Sequence, residues 1–248
     1  MKHLVIGTGE VGTAISKIFQ CDIVGKVESF NSNFSFDIIH ICFPYSEDFI
    51  DEVKRYQELY KVKYTIIHST VPVGTSRKLN AIHSPILGIH PYLEESIKTF
   101  TKYLGGENAS EVADEFRRAG MKVYITDKSE TTELMKILCT TKYGLDIEWV
   151  KDVKDQCNKY KVPFEFYSLW TDNYNMGYNK LGQSQFTRPN LIPIKGKIKG
   201  HCVRPNLELL ETKFTKLLKE FIMDTETKQE EPKEIIDPAE ANVCDACA

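Results

Sequence analysis

The chain has 248 residues, 42% of them hydrophobic and 27% charged, with a formal net charge of −3. These are ordinary values for a globular protein of one or two domains and exclude a low-complexity or fibrous chain. No apolar run reaches the length of a membrane span, and there is no basic excess of the kind that nucleic acid demands.

The opening residues lead into an apolar strand rather than a signal peptide, so a cytoplasmic location is expected. The seven cysteines are scattered without a paired framework and read as free thiols. Charge is uneven along the chain. Residues 224–248 carry eight acids against Lys228 and Lys233, a net −6 that leaves the remainder at about +3. A mildly basic body suits a small anionic ligand.

Leu4-Val5-Ile6 has the length and β-branching of a buried parallel strand. It meets Gly7-Thr8-Gly9-Glu10-Val11-Gly12, and an amphipathic helix from Ala14 to Phe19 follows. In a dinucleotide-binding turn, Gly7 would allow the tight bend, Gly9 would let backbone approach a pyrophosphate, and Gly12 would let helix pack on strand. Glu10 and Val11 belong to the same cofactor loop. The other reading of this stretch is a glycine-rich turn without a ligand.

A second strand is expected from Asp22 to Lys26. The acid that holds an adenosine ribose commonly stands near this strand end. Here Lys26 would favour a 2′-phosphate and NADP, whereas Glu28 would favour NAD. A solvated lysine is equally compatible. Asp37 to Phe43 reads as a third strand, ended by Pro44, which joins the expected cofactor-binding residues. Ser46 is placed to cap a helix running through Phe49, Val53 and Tyr56. Tyr64 to His68 is a fourth strand and leads into Ser69-Thr70-Val71-Pro72-Val73-Gly74-Thr75. His83 to His90 and Val123 to Thr126 read as two further strands, separated by a helix over Ser110 to Ala119. This alternation predicts an α/β fold with a Rossmann-type parallel sheet over residues 1–127.

The character changes at Lys128. Ser129 or Thr131 can cap a long helix that ends before Pro163, with Leu134, Leu138, Leu145, Trp149 and Val153 as its apolar stripe. A second, aromatic-rich helix runs from Phe164 to Tyr178. Residues 182–204 read as a loop crossing a site, and Leu207 to Ile222 as a last amphipathic helix. Residues 128–223 thus form a helical domain. The acidic, aromatic-free residues 224–248 are expected to be disordered. Cys244 and Cys247 have CxxC spacing without a second pair, and no metal site is expected there.

Three segments resemble the UDP-glucose/GDP-mannose dehydrogenase family. Ser69 to Thr75 matches its STVPVGT loop. Glu133-Leu134-Met135-Lys136 matches the start of its central helix, where a lysine faces the substrate. Gly200-His201-Cys202-Val203-Arg204-Pro205-Asn206 resembles its GGHCxPxD segment with the catalytic cysteine. The resemblance covers residues 1 to about 210.

It implies two successive oxidations of a nucleotide-sugar alcohol with two NAD. A cysteine attacks the intermediate aldehyde, hydride loss from the thiohemiacetal gives a thioester, and water hydrolyses it. Carried over, Cys202 would be the nucleophile, Lys136 the stabiliser of the developing alkoxide, and Thr70 a cofactor-loop residue that orients a water. The chemistry suits a thiolate, which is a strong nucleophile and an acceptable leaving group. Arg188, Lys195, Lys197, Lys199, Arg204 and Asn206 would hold an anionic substrate. A homodimer through the long central helix is also implied.

The departures concern the same chemistry. Few of the given residues follow Cys202, so a counterpart of the family's C-terminal nucleotide-binding domain is not expected among them. Thr140 stands where the family has asparagine, and Asn206 stands where it has aspartate. Glutamates after the fifth strand give way to Ser84-Pro85-Ile86-Leu87-Gly88-Ile89-His90-Pro91. His90 could take over a carboxylate's proton-transfer role or serve as a structural residue. Cys202 could equally be a buried apolar residue and Lys136 a solvated one. An NAD(P)-dependent enzyme is the favoured reading, including a single-step variant similar to prephenate dehydrogenase around Gly88-Ile89-His90-Pro91. A non-catalytic dinucleotide-binding protein with degenerate chemistry is the alternative.

Overall fold

The computed structural model describes residues 1–25, 35–198 and 203–227. The chain divides into two compact units, Met1–Leu138 and the residues from Cys139 onward.

The first unit holds strands β1 (His3–Ile6), β2 (Asp22–Val24), β3 (Ile38–Ile41), β4 (Tyr64–Ile67), β5 (Ile82–His83), β6 (Lys102–Gly105) and β7 (Val123–Thr126). They form one sheet in the order β2-β1-β3-β4-β5-β6-β7. Every pairing is parallel except β5 with β6. Helices α1 (Glu10–Phe19), α2 (Phe49–Tyr60), α3 (Thr75–Lys78), α4 (Leu93–Thr99) and α5 (Ala109–Arg118) lie between the strands, and α6 (Ser129–Tyr160) begins in this unit. This is an α/β Rossmann-type fold with a helical part after it.

Strand side chains alternate between faces, and both faces are covered. Leu4, Ile6, Ile39, Ile41 and Ile67 pack in one apolar cluster with Phe49, Val53 and Tyr56 of α2. Val5, Ile38 and Ile66 belong to the other, with Ile15 and Ile18 of α1 and Val112 and Phe116 of α5. Near-continuous apolar runs in β1, β3 and β4 follow from this double burial.

Several local expectations shift. Ser46 does not cap α2. Its hydroxyl donates to Asp48 Oδ1 at 2.5 Å, and the Ser46 carbonyl accepts from the Phe49 amide. The strand expected over residues 83–90 pairs only at Ile82–His83, because Pro85 has no amide to continue a ladder. The chain then forms α4 and β6, which hydrophobic patterning did not reveal. β6 reverses direction, so the sheet is mostly rather than wholly parallel.

In the second unit α6 continues, followed by α7 (Glu165–Lys180) and α8 (Lys213–Thr227). The buried face of α6 carries Thr140, Thr141, Gly144, Ile147 and Val150, not the expected stripe, since Leu138 and Trp149 are exposed. A helix with apolar residues on several faces does not disclose from periodicity which face packs. Gly144 fixes the choice: a Cβ there would stand 2.6 Å from Leu218 Cδ2 and 2.8 Å from Val203 Cγ1. Ile147, Ile198, Val203, Leu207, Leu218 and Ile222 form this unit's core. The last helix starts at Lys213 rather than Leu207, because Pro205–Glu208 makes a separate 3-10 turn and Thr212 Oγ1 accepts from the Thr215 amide at 3.1 Å. Residues 224–227, expected to open a disordered tail, instead form the last turn of α8; the rest of that tail, from 228 onward, lies outside the described residues, as do Cys244 and Cys247.

Candidate functional site

The glycine loop joins β1 to α1. Gly7 has φ +116°, and a Cβ there would stand 2.8 Å from the Cys42 carbonyl carbon. A Cβ on Gly12 would stand 1.8 Å from the Gly7 oxygen. Both positions are closed to any side chain. Around Gly9, by contrast, nothing lies within 4 Å of an ideal Cβ. The open glycine therefore faces out at the amino end of α1, where the first-turn amides of Glu10, Val11 and Gly12 have no helical acceptor. The Gly7 amide donates to Val24 O at 2.8 Å and the Cys42 amide to Ile6 O at 2.8 Å, which holds the loop between β2 and β3. A cradle with this donor set fits a dinucleotide pyrophosphate.

His90, in the segment before α4, pairs through Nδ1 with the Glu10 carboxylate of α1. The structure thus brings one expected catalytic residue to the edge of the expected cofactor loop. Pro44 is exposed beyond β3, and Thr70 is half-buried in the loop after β4.

That loop is pinned from several sides. Ser69 Oγ donates to Phe43 O at 2.5 Å, and Thr75 Oγ1 donates to Pro72 O at 2.7 Å. The buried Glu133 carboxylate of α6 accepts from the Gly74 amide at 2.6 Å and the Ser76 amide at 2.8 Å. One residue earlier, Thr132 Oγ1 lies 2.8 Å from His83 Nδ1, while His83 Nε2 lies 3.2 Å from Ser69 O. The carbonyl can only accept, so His83 is the Nε2–H tautomer. Burial pushes its pKa down to about 3 and keeps it neutral.

One turn after Glu133, Lys136 Nζ donates to Ile86 O at 2.9 Å. From behind, Lys102 Nζ of β6 donates to Ser84 O at 2.8 Å and Pro85 O at 3.0 Å. Three consecutive carbonyls are therefore held by two lysines. Burial, with a smaller contribution from Lys136, pushes Lys102 down to about 7. Glu133, Thr132 and Lys102 were not singled out from sequence. A glutamate three residues before the motif lysine was the available signal for the first.

In the second unit, the Arg188 guanidinium lies 3.8 Å over the Tyr174 ring. Its backbone is clasped by Asn175, through bonds of 2.8 and 2.9 Å. Arg188 lines a hollow with Asp146, Trp149, Val150, Tyr167, Pro189 and Leu191. Arg204 is exposed and Asn206 is buried in the 3-10 turn. Lys26, Glu28, Lys199 and Cys202 lie outside the described residues. Two other thiols are unsuited to nucleophilic chemistry: burial pushes Cys21 up to about 11 and Cys42 higher still. Among the described residues no cluster of metal-ligating side chains occurs.

No family model matches the chain, and no curated protein matches its sequence. Solved structures do match its fold. The UDP-D-ManNAc dehydrogenase from Pyrococcus horikoshii aligns with a TM-score of 0.71 at 16% identity, over 92% of this chain and 69% of that one. A UDP-glucose dehydrogenase from the archaeon Pyrobaculum islandicum aligns with a TM-score of 0.70 at 14% identity, over 90% and 68%. The Mycobacterium tuberculosis 3-hydroxyisobutyrate dehydrogenase aligns with a TM-score of 0.63 at 12% identity, over 91% and 94%. The chain accordingly has the fold of the UDP-sugar dehydrogenases, in agreement with its motifs.

Proposed function

We propose that this protein is a nicotinamide-dinucleotide-dependent oxidoreductase that oxidises an alcohol carbon of a small anionic, sugar-like substrate. The observation that carries the reading is the open Gly9 between the closed Gly7 and Gly12, at the amino end of α1. When bound, NAD supplies the hydride acceptor; NADP is the alternative that Lys26 would favour. The first-turn amides of α1 would hold the pyrophosphate, and the motif resemblance assigns Thr70, in the pinned loop, to the cofactor. Lys136, oriented by its bond to Ile86 O, stabilises the negative charge that develops on the substrate oxygen. His90, which pairs with Glu10, would be the acceptor of the alcohol proton. The motif resemblance assigns Cys202 as nucleophile for a second oxidation, with Arg188, Lys199, Arg204 and Asn206 toward the anionic group.

A cytoplasmic location and a homodimer complete the proposal. No helix among the described residues is long and apolar enough to cross a membrane. Trp149, Phe166 and Trp170 are exposed on α6 and α7 and would be covered by a second copy. A non-catalytic dinucleotide-binding role is favoured by one observation: Asn206, where the family has an aspartate, is buried and has no basic group.

Titration with NADH and NADPH, followed by nicotinamide fluorescence, tests the reading. Saturable binding of one cofactor is expected and justifies an alcohol substrate screen with Cys202→Ala as control. Binding of neither overturns it.

A further inference from the structure

Three histidines cross the first unit in a line. His3 Nδ1 lies 2.9 Å from His40 Nε2, and His40 Nδ1 lies 2.9 Å from His68 Nε2. Successive rings are near-parallel, at interplanar angles of 13° and 9°. The register explains the line. His3 opposes Ile38, His40 opposes Val5 and Ile66, and His68 follows β4 by one residue. Each histidine thus stands two residues further toward the carboxyl ends than its predecessor and on the same face, where Phe19 and Phe116 pack against the ladder.

Each end of the ladder meets an ionisable group. His3 Nε2 lies 3.2 Å from Glu115 Oε2 at the sheet's amino edge. At the other end, His68 Nδ1 lies 3.3 Å from Lys102 Nζ and 2.7 Å from Ser84 O. These two partners of one nitrogen demand opposite tautomers. An ammonium donates to a bare Nδ1, whereas a carbonyl accepts from Nδ1–H.

We propose that His3, His40 and His68 form a proton relay that connects the buried Lys102 with Glu115 and, through it, with solvent.

In the first state Lys102 is an ammonium whose three hydrogens serve Ser84 O, Pro85 O and His68 Nδ1. The histidines are neutral Nε2–H tautomers, each donating toward Glu115. Transfer breaks three N–H bonds, at Lys102 Nζ, His68 Nε2 and His40 Nε2. It forms three, at His68 Nδ1, His40 Nδ1 and His3 Nδ1. The product has neutral Lys102, His68 donating to Ser84 O, and a His3 imidazolium against the Glu115 carboxylate. Atoms and charge balance, and each contact from His68 through His40 and His3 to Glu115 holds one hydrogen in either state, whereas the His68 Nδ1–Ser84 O contact holds one only in the second.

Burial holds His3 below its ordinary pKa; Glu115 and Asp37 favour its charged form, against burial and the Met1 amino group, so the imidazolium is the minor, transient state of the relay. His40 faces His3 and Lys102, and His68 faces Lys102, His40 and His83, so burial and neighbouring cations hold both neutral. Lys102 also faces Cys42 and Lys136. The relay gives Lys102 a route to exchange its proton without opening the sheet. It also makes the grip on Ser84 and Pro85 responsive to pH. This inference does not depend on the dehydrogenase reading, and its test uses no substrate.

The test is NMR of the full chain with ¹⁵N-labelled histidine and lysine side chains. The three rings are expected to share the Nε2–H tautomer at pH 6 and to change together, in the same step as Lys102 Nζ, as pH rises. The Lys102 ammonium hydrogens should exchange with solvent at least tenfold faster than in His40→Phe, which keeps the stacking and interrupts the line. Mixed tautomers, independent titration of His68 and Lys102, or equal exchange rates would each overturn the relay. The wild-type titration decides the matter even if His40→Phe fails to fold.

Discussion

The Glu133 carboxylate accepts the Gly74 amide at 2.6 Å, and with its second oxygen the Ser76 amide at 2.8 Å. A single buried acid on α6 therefore fixes the backbone of a loop 57 to 59 positions earlier in the chain. Lys136 follows it by one helical turn, so the same helix sets the loop and presents the lysine.

Glu133→Ala leaves two buried amides without acceptors and should lower stability by roughly 3 kcal/mol, while Glu133→Gln, which keeps one acceptor, should cost about half as much. Urea unfolding of both variants is the measurement. Equal midpoints for wild type and Glu133→Ala would mean that the pin has no energetic role.

Gly9 and Gly12 should behave in opposite ways. A methyl at Gly12 meets the Gly7 oxygen at 1.8 Å, so Gly12→Ala should unfold or severely destabilise the first unit. A methyl at Gly9 meets no protein atom within 4 Å, so Gly9→Ala should change stability by only about 1 kcal/mol or less. It should nevertheless weaken NADH binding at least tenfold, because the methyl occupies the space for the pyrophosphate. Thermal melts beside the fluorescence titration separate the two effects.

Buried Lys102 makes stability depend on pH with a definite sign. Its pKa is near 7 folded, against the usual 10.5 unfolded. Below pH 7 both states hold the proton and the burial penalty is fully present. Between 7 and 10.5 the unfolded chain holds more protons, so stability rises with pH. Relative to Lys102→Met, the wild type should gain about 3 kcal/mol between pH 7 and 9.5, measured by urea unfolding across pH. A flat difference would show that Lys102 keeps its ordinary pKa. His40 and His68, held below their ordinary value by burial, act in the acid range. As pH falls below about 6.5 the unfolded chain takes up protons that the folded chain does not, and stability is lost.

Lys136→Met tests the proposed chemistry apart from cofactor binding. The lysine bonds Ile86 O and lies away from the glycine loop in sequence, so NADH affinity should stay within about twofold. Turnover of any substrate found should fall by about 100-fold or more, the size of a lost oxyanion-stabilising group. Unchanged turnover would remove Lys136 from the site.

The sequence by itself determined the Rossmann-type start, the STVPVGT loop, the long helix from Ser129 and the placing of Val123–Thr126. Each rests on a local signal: glycines whose spacing a turn requires, prolines that end elements, or apolar runs short enough to be strands. Only the tertiary structure decided what depends on partners distant in sequence. The short β5 and reversed β6 follow from pairing, which hydrophobic patterning does not encode. Gly144 against Leu218 chose the buried face of α6, and the exposed Trp149 shows that periodicity alone misassigned it. The histidine ladder was equally invisible. His3 and His40 stand in ordinary apolar strands and His68 directly after one, and strand register alone makes them neighbours.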